Sequence, residues 1–194
     1  MGRIPDPNRK PELLGRIMEH VATEPLSRMT FRSLASALGV STYSFVYHFG
    51  SRQEMIDAIL EEGVRQHGET ITGVDVAAFD QEQFAAWYAE AFRHSLRDAN
   101  RTGLRLQFEA GALEPIDPDI GKRITTSFAE WLDTVDRWLQ RHGVDPARSR
   151  VLATWLTDTV SGLHFGYLIT GDHARTVAAF DVFIDAFVRE AFAD

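Results

Sequence analysis

Side chains able to do covalent chemistry are thinly spread in this 194-residue sequence. Cysteine is absent, which removes thiol nucleophiles, disulfides and Cys-ligated zinc together. The seven histidines (His20, His48, His67, His94, His142, His164 and His173) are scattered, with no His-x-x-x-His or Glu-x-x-His pair to seat a metal on one helix face. No Gly-rich phosphate loop and no Gly-x-Ser-x-Gly elbow occurs. Groups suited to non-covalent recognition are concentrated instead. Thr30, Arg32, Ser41, Thr42, Tyr43, Ser44, Tyr47, His48 and Arg52 all fall in one short stretch. An arginine fork among hydroxyls and aromatic rings suits bidentate pairing with a planar acceptor edge.

Two short helices are needed to hold these groups. Thr30 is a good cap, since its hydroxyl accepts from an otherwise unpaired N–H in the first turn. Leu34, Ala35 and Leu38 follow on one face, and Gly39 stands where the chain must leave the helix through a left-handed backbone. Ser41 caps a second helix that turns Phe45 and Phe49 inward, and small Ala35 lets the two helices cross closely. That is the helix-turn-helix pattern, whose second helix enters a DNA major groove; a generic helical hairpin in a core shares it. Ser51-Arg52-Gln53-Glu54 then reads as a capping box opening another helix.

The run Tyr47-His48-Phe49-Gly50-Ser51-Arg52-Gln53-Glu54 resembles the end of the DNA-binding module of the tetracycline-repressor (TetR) family of transcription regulators. The resemblance covers about Arg9 to Val64; beyond that it rests on the number and length of helices. Two positions depart from the family pattern. Val46 stands where many members carry a tyrosine that meets phosphate, and Tyr43 where a small residue is frequent.

Net charge is −8, and its distribution matters more than its sum. Up to Gly50 six basic residues stand against four acidic ones, a balance of +2; the remainder carries 14 basic and 24 acidic residues, or −10. An acidic remainder is repelled by phosphate, which leaves the N-terminal module as the DNA-facing part. No apolar run reaches the roughly 18 residues of a membrane span. Met1 to Asp6 has no signal-peptide core, and Asp6 stands where a myristoylation motif needs Ser or Thr. A cytoplasmic protein is expected.

Helical periodicity runs through the rest of the chain. Arg9 to Glu24 predicts a first helix with Leu13, Leu14, Ile17, Met18 and Val21 on one stripe, ended by Pro25. A helix from the capping box reaches about His67, and Thr70 to Asp80 reads as a linker. Further helices follow: Gln81 to about Asn100, one around Leu104 and Phe108 ending near Gly111, Ile120 to Gly143, one opened by Asp145-Pro146 and closed by Gly171, and one through Phe192. The expectation is an all-α chain of about nine helices. Residues 1–68 would form the DNA-binding domain with its connector helix, and 69–194 a helical bundle for ligand binding and dimerisation.

In a helix-turn-helix, Thr42, Tyr43 and Ser44 face base edges, with Arg32 reaching in beside them. The resemblance implies phosphate contacts from Thr30, Tyr47, His48 and Arg52. It also implies that some of Tyr88, Phe92, Phe108, Phe128, Trp131, Trp155 and Phe165 line a cavity for an apolar or aromatic effector, although aromatic stripes at this spacing are usually core. Thr159, His164 and Glu109 would supply its polar groups. A homodimer pairing the last two helices is implied too, through Trp155, Leu163, Phe180, Phe183, Ile184 and Phe187. The partners would be a double-stranded operator, a small-molecule effector and a second copy, with no membrane, cofactor or metal. The rival readings are an enzyme, and a helical small-molecule or protein-binding module that never meets DNA.

Overall fold

The computed structural model describes residues 9–67 and 74–193. Among these residues every regular element is helical: nine α-helices joined in places by single 3-10 turns. The head consists of α1 (Arg9–Val21), α2 (Phe31–Leu38), α3 (Thr42–Phe49) and α4 (Arg52–His67). α1 stops at Val21, short of the expected Glu24. Pro25 turns Glu24 out of the helical region, and Arg105 takes the freed carbonyls, donating to Val21 O and, at 3.3 Å, to Glu24 O.

The body consists of α5 (Gln81–Ser95), α6 (Arg101–Leu113), α7 (Arg123–Arg141), α8 (Pro146–Thr170) and α9 (His173–Ala191). α5 ends earlier than its pattern suggests, because Asn100 folds back to donate to His94 O at 2.7 Å and starts α6 at once. α7 begins at Arg123, not Ile120. Ile120 lies in a 3-10 turn that buries its side chain, and Gly121 follows with φ 78°. The first turn of α7 has no side-chain cap from Lys122. Buried Glu114 caps it from a distance, accepting from Ile124 N at 2.6 Å, Thr125 N at 2.9 Å and the Thr125 hydroxyl at 2.6 Å. Of the expected linker, Val76–Ala78 forms a 3-10 turn with Val76 buried, and Asp80 caps α5. The boundary expected at 68/69 lies outside the described residues.

Two apolar clusters hold the chain together. One packs α5, α7, α8 and α9, centred on Trp138, which stacks on Phe84 at 4.0 Å and donates its indole N–H to Phe79 O at 2.9 Å. The other packs α1 to α4, and it is completed by Leu106 and Ala110 of α6 and by Ile120. The head therefore does not close on itself; body residues finish its core. α4 meets α6 at a close crossing, where a Cβ added to Gly63 would stand 3.4 Å from the Cα of Gly103. Among the described residues no helix is long and apolar enough to cross a membrane.

Candidate functional site

The recognition face is set by caps. Thr30 Oγ1 accepts from Ser33 N at 3.0 Å while Ser33 Oγ accepts from Thr30 N at 2.9 Å, so both hydroxyls fix the start of α2. Gly39 leaves α2 at φ 64°, and Arg16 of α1 donates to Leu38 O, the last carbonyl of that helix. Ser41 Oγ accepts from Ser44 N at 3.2 Å and opens α3. Phe45 is fully buried between Phe31 and Phe49, with ring centroids at 5.8 and 6.1 Å. With that side of α3 anchored, the opposite side faces outward.

That outward side carries Thr42, Tyr43, Val46 and Tyr47, all exposed, with Ser44 and His48 half-buried at its edge. Tyr43 is 73% exposed and its ring stacks on Tyr47, which meets His48 edge-on at 5.0 Å. Tyr43, Val46 and Tyr47 together form an exposed patch on one helix face, of the kind that marks interaction surfaces. Arg32 is exposed on α2 and makes no hydrogen bond or ion pair among the described residues. Lys10, which sequence reasoning passed over, sits 5.4 Å above the Phe49 ring and brings a further cation to the end of α3. Only the three-dimensional approach of α1 to α3 reveals it.

Arg52 is placed differently from its expected phosphate role. Its guanidinium donates to Met29 O at 2.8 Å and pairs with Asp117 at 3.1 Å, leaving the side chain 19% exposed. It ties the start of α4 to the body, and a phosphate would have to displace that pair. The box Ser51/Glu54 closes reciprocally beside it, with Ser51 N donating to Glu54 at 2.7 Å and Glu54 N to Ser51 Oγ at 3.1 Å. The hydrogen bond from the Ser51 side chain holds the Glu54 carboxyl below its usual range.

Behind the head lies a cavity of about 370 Å³ reaching from α4 to α8. Of the expected lining, Tyr88, Phe128, Trp131 and His164 face it, joined by Trp87, Arg123 and Ser127. The other candidates lie elsewhere. Phe92 is buried against Phe180 at 4.1 Å, and Phe108 packs on Phe165 outside the lining. Trp155 lies edge-on to Phe183 at 5.3 Å, and buried Thr157 takes the lining place expected of Thr159. Glu109 serves the head, accepting from Leu26 N at 2.9 Å and pairing with Arg105 at 2.6 Å. His164 Nε2 lies 2.7 Å from Ser95 Oγ and its ring stacks on Phe92. Burial drives the Tyr88 hydroxyl well above its ordinary pKa, so it stays protonated as a wall of the cavity.

Burial divides the residues expected at a dimer contact. Phe180, Phe183, Ile184 and Phe187 are buried within the chain's own core and offer little surface to a second copy; Leu163 is half-buried. Trp155 stays exposed, in an outward stripe with Val151, Phe165 and Ile169 along α8, and Val182 is exposed on α9.

A helix-turn-helix head on a helical body that holds a cavity defines the one-chain transcriptional regulators as a class. A family model described as tetracyclin repressor-like, C-terminal domain, matches residues 79–193, and the chain belongs to the TetR family. Among solved structures, a transcriptional regulator from Rhodococcus sp. Rha1 superposes with a TM-score of 0.71 at 17% identity, over 93% of this chain and 96% of that one. A TetR transcriptional regulator from Legionella pneumophila gives 0.65 at 16% identity, covering 95% and 98%. NalD, the secondary repressor of the MexAB-OprM multidrug efflux pump in Pseudomonas aeruginosa, gives 0.68 at 14%, covering 94% and 98%. At such identities the likeness shows the fold. A search of curated proteins finds no match.

Proposed function

We propose that the protein is an effector-responsive repressor that binds a palindromic operator as a homodimer and lets go when a small apolar or aromatic molecule fills the cavity. The observation that carries this reading is the outward face of α3, where Tyr43 and Tyr47 stand in water beside the unpaired Arg32. Thr42, Tyr43 and Ser44 meet base edges; Tyr47, His48 and Lys10 lie toward phosphate; Thr30 and Ser41 hold the frame through their caps. The uncovered stripe on α8 and α9 supplies the two-fold contact that sets two heads on successive major grooves.

Coupling follows from what α4 touches. Leu60 of α4 lines the cavity, Arg52 holds its start to Asp117, and Glu61 pairs with Arg123 at 2.9 Å. An effector that fits one position of α4 better than another shifts the heads, and a coupling of about 1–3 kcal/mol changes operator affinity roughly 5–150-fold.

Fluorescence polarisation with a labelled duplex at low salt tests the reading. Binding is expected to weaken steeply as salt rises, as phosphate contacts release counterions; a salt-insensitive or absent signal refutes the DNA reading. On the selected operator, Arg32→Ala is expected to flatten preference at one base pair per half-site, losing about 1–3 kcal/mol of discrimination. An unaltered base preference removes Arg32 from the reading surface.

A further inference from the structure

The wall of the cavity has a chemical bias that specifies what fits it, taking the cavity as the effector site. Four aromatic side chains, Trp87, Tyr88, Phe128 and Trp131, give it flat apolar surfaces. Arg123 is the charged side chain in the lining, and no carboxylate joins it there among the described residues. Buried hydrogen-bond donors stand among those rings. The Trp87 indole N–H is buried without an acceptor among the described residues, which is costly unless a ligand supplies one. The Tyr88 hydroxyl, kept protonated by burial, is a second donor in the same wall, and its ring lies 5.6 Å from that of Trp131.

Arg123 is also the residue that links the cavity to the connector helix. It pairs with Glu61 of α4 at 2.9 Å, and the two side chains are 35% and 62% exposed. A pair so open to solvent is weakly held. The same arginine and Ser127 border a shallow surface depression lined by Asp57, Lys122 and Glu130, which gives a route to the guanidinium from outside. A carboxylate arriving against the aromatic wall meets Arg123 beside those rings, where a bidentate charge-assisted pair is stronger than in open water. Aromatic rings also attract cations, but here the guanidinium opposes one and no carboxylate completes a cage.

We propose that the effector is a flat apolar monoanion, an aromatic or similarly compact carboxylate, whose carboxylate takes Arg123 from Glu61 and so releases α4 from α7. Specificity then has two parts: ring area against Trp87, Phe128 and Trp131, and one negative charge at Arg123. The exchange is the signal, since Glu61 lies on the helix that carries the head.

Calorimetric titration of the full chain with naphthoate, naphthylmethanol and naphthylmethylammonium separates the two parts. Naphthoate is expected to bind about tenfold more tightly than the alcohol, with the ammonium weakest. Arg123→Gln should bring naphthoate down to about the alcohol's affinity, erasing the preference for the acid. Glu61→Gln should tighten naphthoate several-fold and widen that preference, because the competitor for Arg123 is gone. Equal binding of acid and alcohol, or a preference for the ammonium, overturns the monoanion while leaving the cavity as a ligand site. Failure of all three probes to bind removes the cavity reading itself.

Discussion

A single aspartate at Val182 is expected to turn the protein into a monomer with an intact fold. Val182 is 71% exposed on α9, so the charge disturbs no packing within the chain; the helical signal should be kept, and the melt should lose only what association adds and its dependence on protein concentration. Across a two-fold axis each substitution is counted twice, and a carboxylate inside an apolar patch has no partner there. Sedimentation velocity should show half the mass. Operator affinity should fall about 10²–10⁴-fold, the gain normally supplied when the second head binds as part of the same molecule. Trp155→Asp should act the same way from α8, though it also loosens the edge contacts to Phe183 and Phe187. A Val182→Asp protein that remains dimeric would show that the stripe is not the contact.

Trp138→Ala is expected to cause the largest loss of stability of any single truncation. Its ring is fully buried, stacked on Phe84, edge-on to Phe192 at 5.6 Å, and bonded to Phe79 O. One side chain thus joins the segment before α5, α7 and the end of α9. Removing it leaves a large void and an unpaired carbonyl, at about 3–5 kcal/mol for the cavity and ~1 kcal/mol more for the lost hydrogen bond. For a chain of this length that lowers Tm by on the order of 10 °C. Trp138→Phe keeps part of the stack and should recover much of the loss. A urea midpoint barely moved by Trp138→Ala would mean that the cluster is not held at that point.

The head was readable because local chemistry fixes it. Thr30, Gly39, Ser41 and the Ser51/Glu54 box each act within a few residues, and the structure closes each of them with the partner that the spacing names. The ends of α1 and α7 were not readable, since Arg105 and Glu114 settle them from distant parts of the chain. Arg52 shows the same limit: its partner Asp117 lies far along the sequence. The cavity lining differed from expectation in which helix faces turn inward. Trp87 faces it where Phe92 does not, and Thr157 where Thr159, about 200° further round the helix, does not. The phenylalanines of α9 were misleading for another reason. A broad apolar stripe says that a helix is covered, but not whether its own chain or a second copy covers it.

The bare crossing of Gly63 over Gly103 gives the connector helix a fulcrum. Backbone rests on backbone at that point, and the side chains α4 shares with α6, Leu60 and Leu106 among them, pack in the core beside it. From Gly63 back to Arg52 the helix is about 16 Å long, and a lean of roughly 10° displaces its far end by about 3 Å. In the proposed regulator, a fraction of an ångström beside the aromatic wall is thereby geared up to a step that matters against the grooves of a duplex, and a methyl group at Gly63 would bring a side chain into contact with the Gly103 backbone at the pivot.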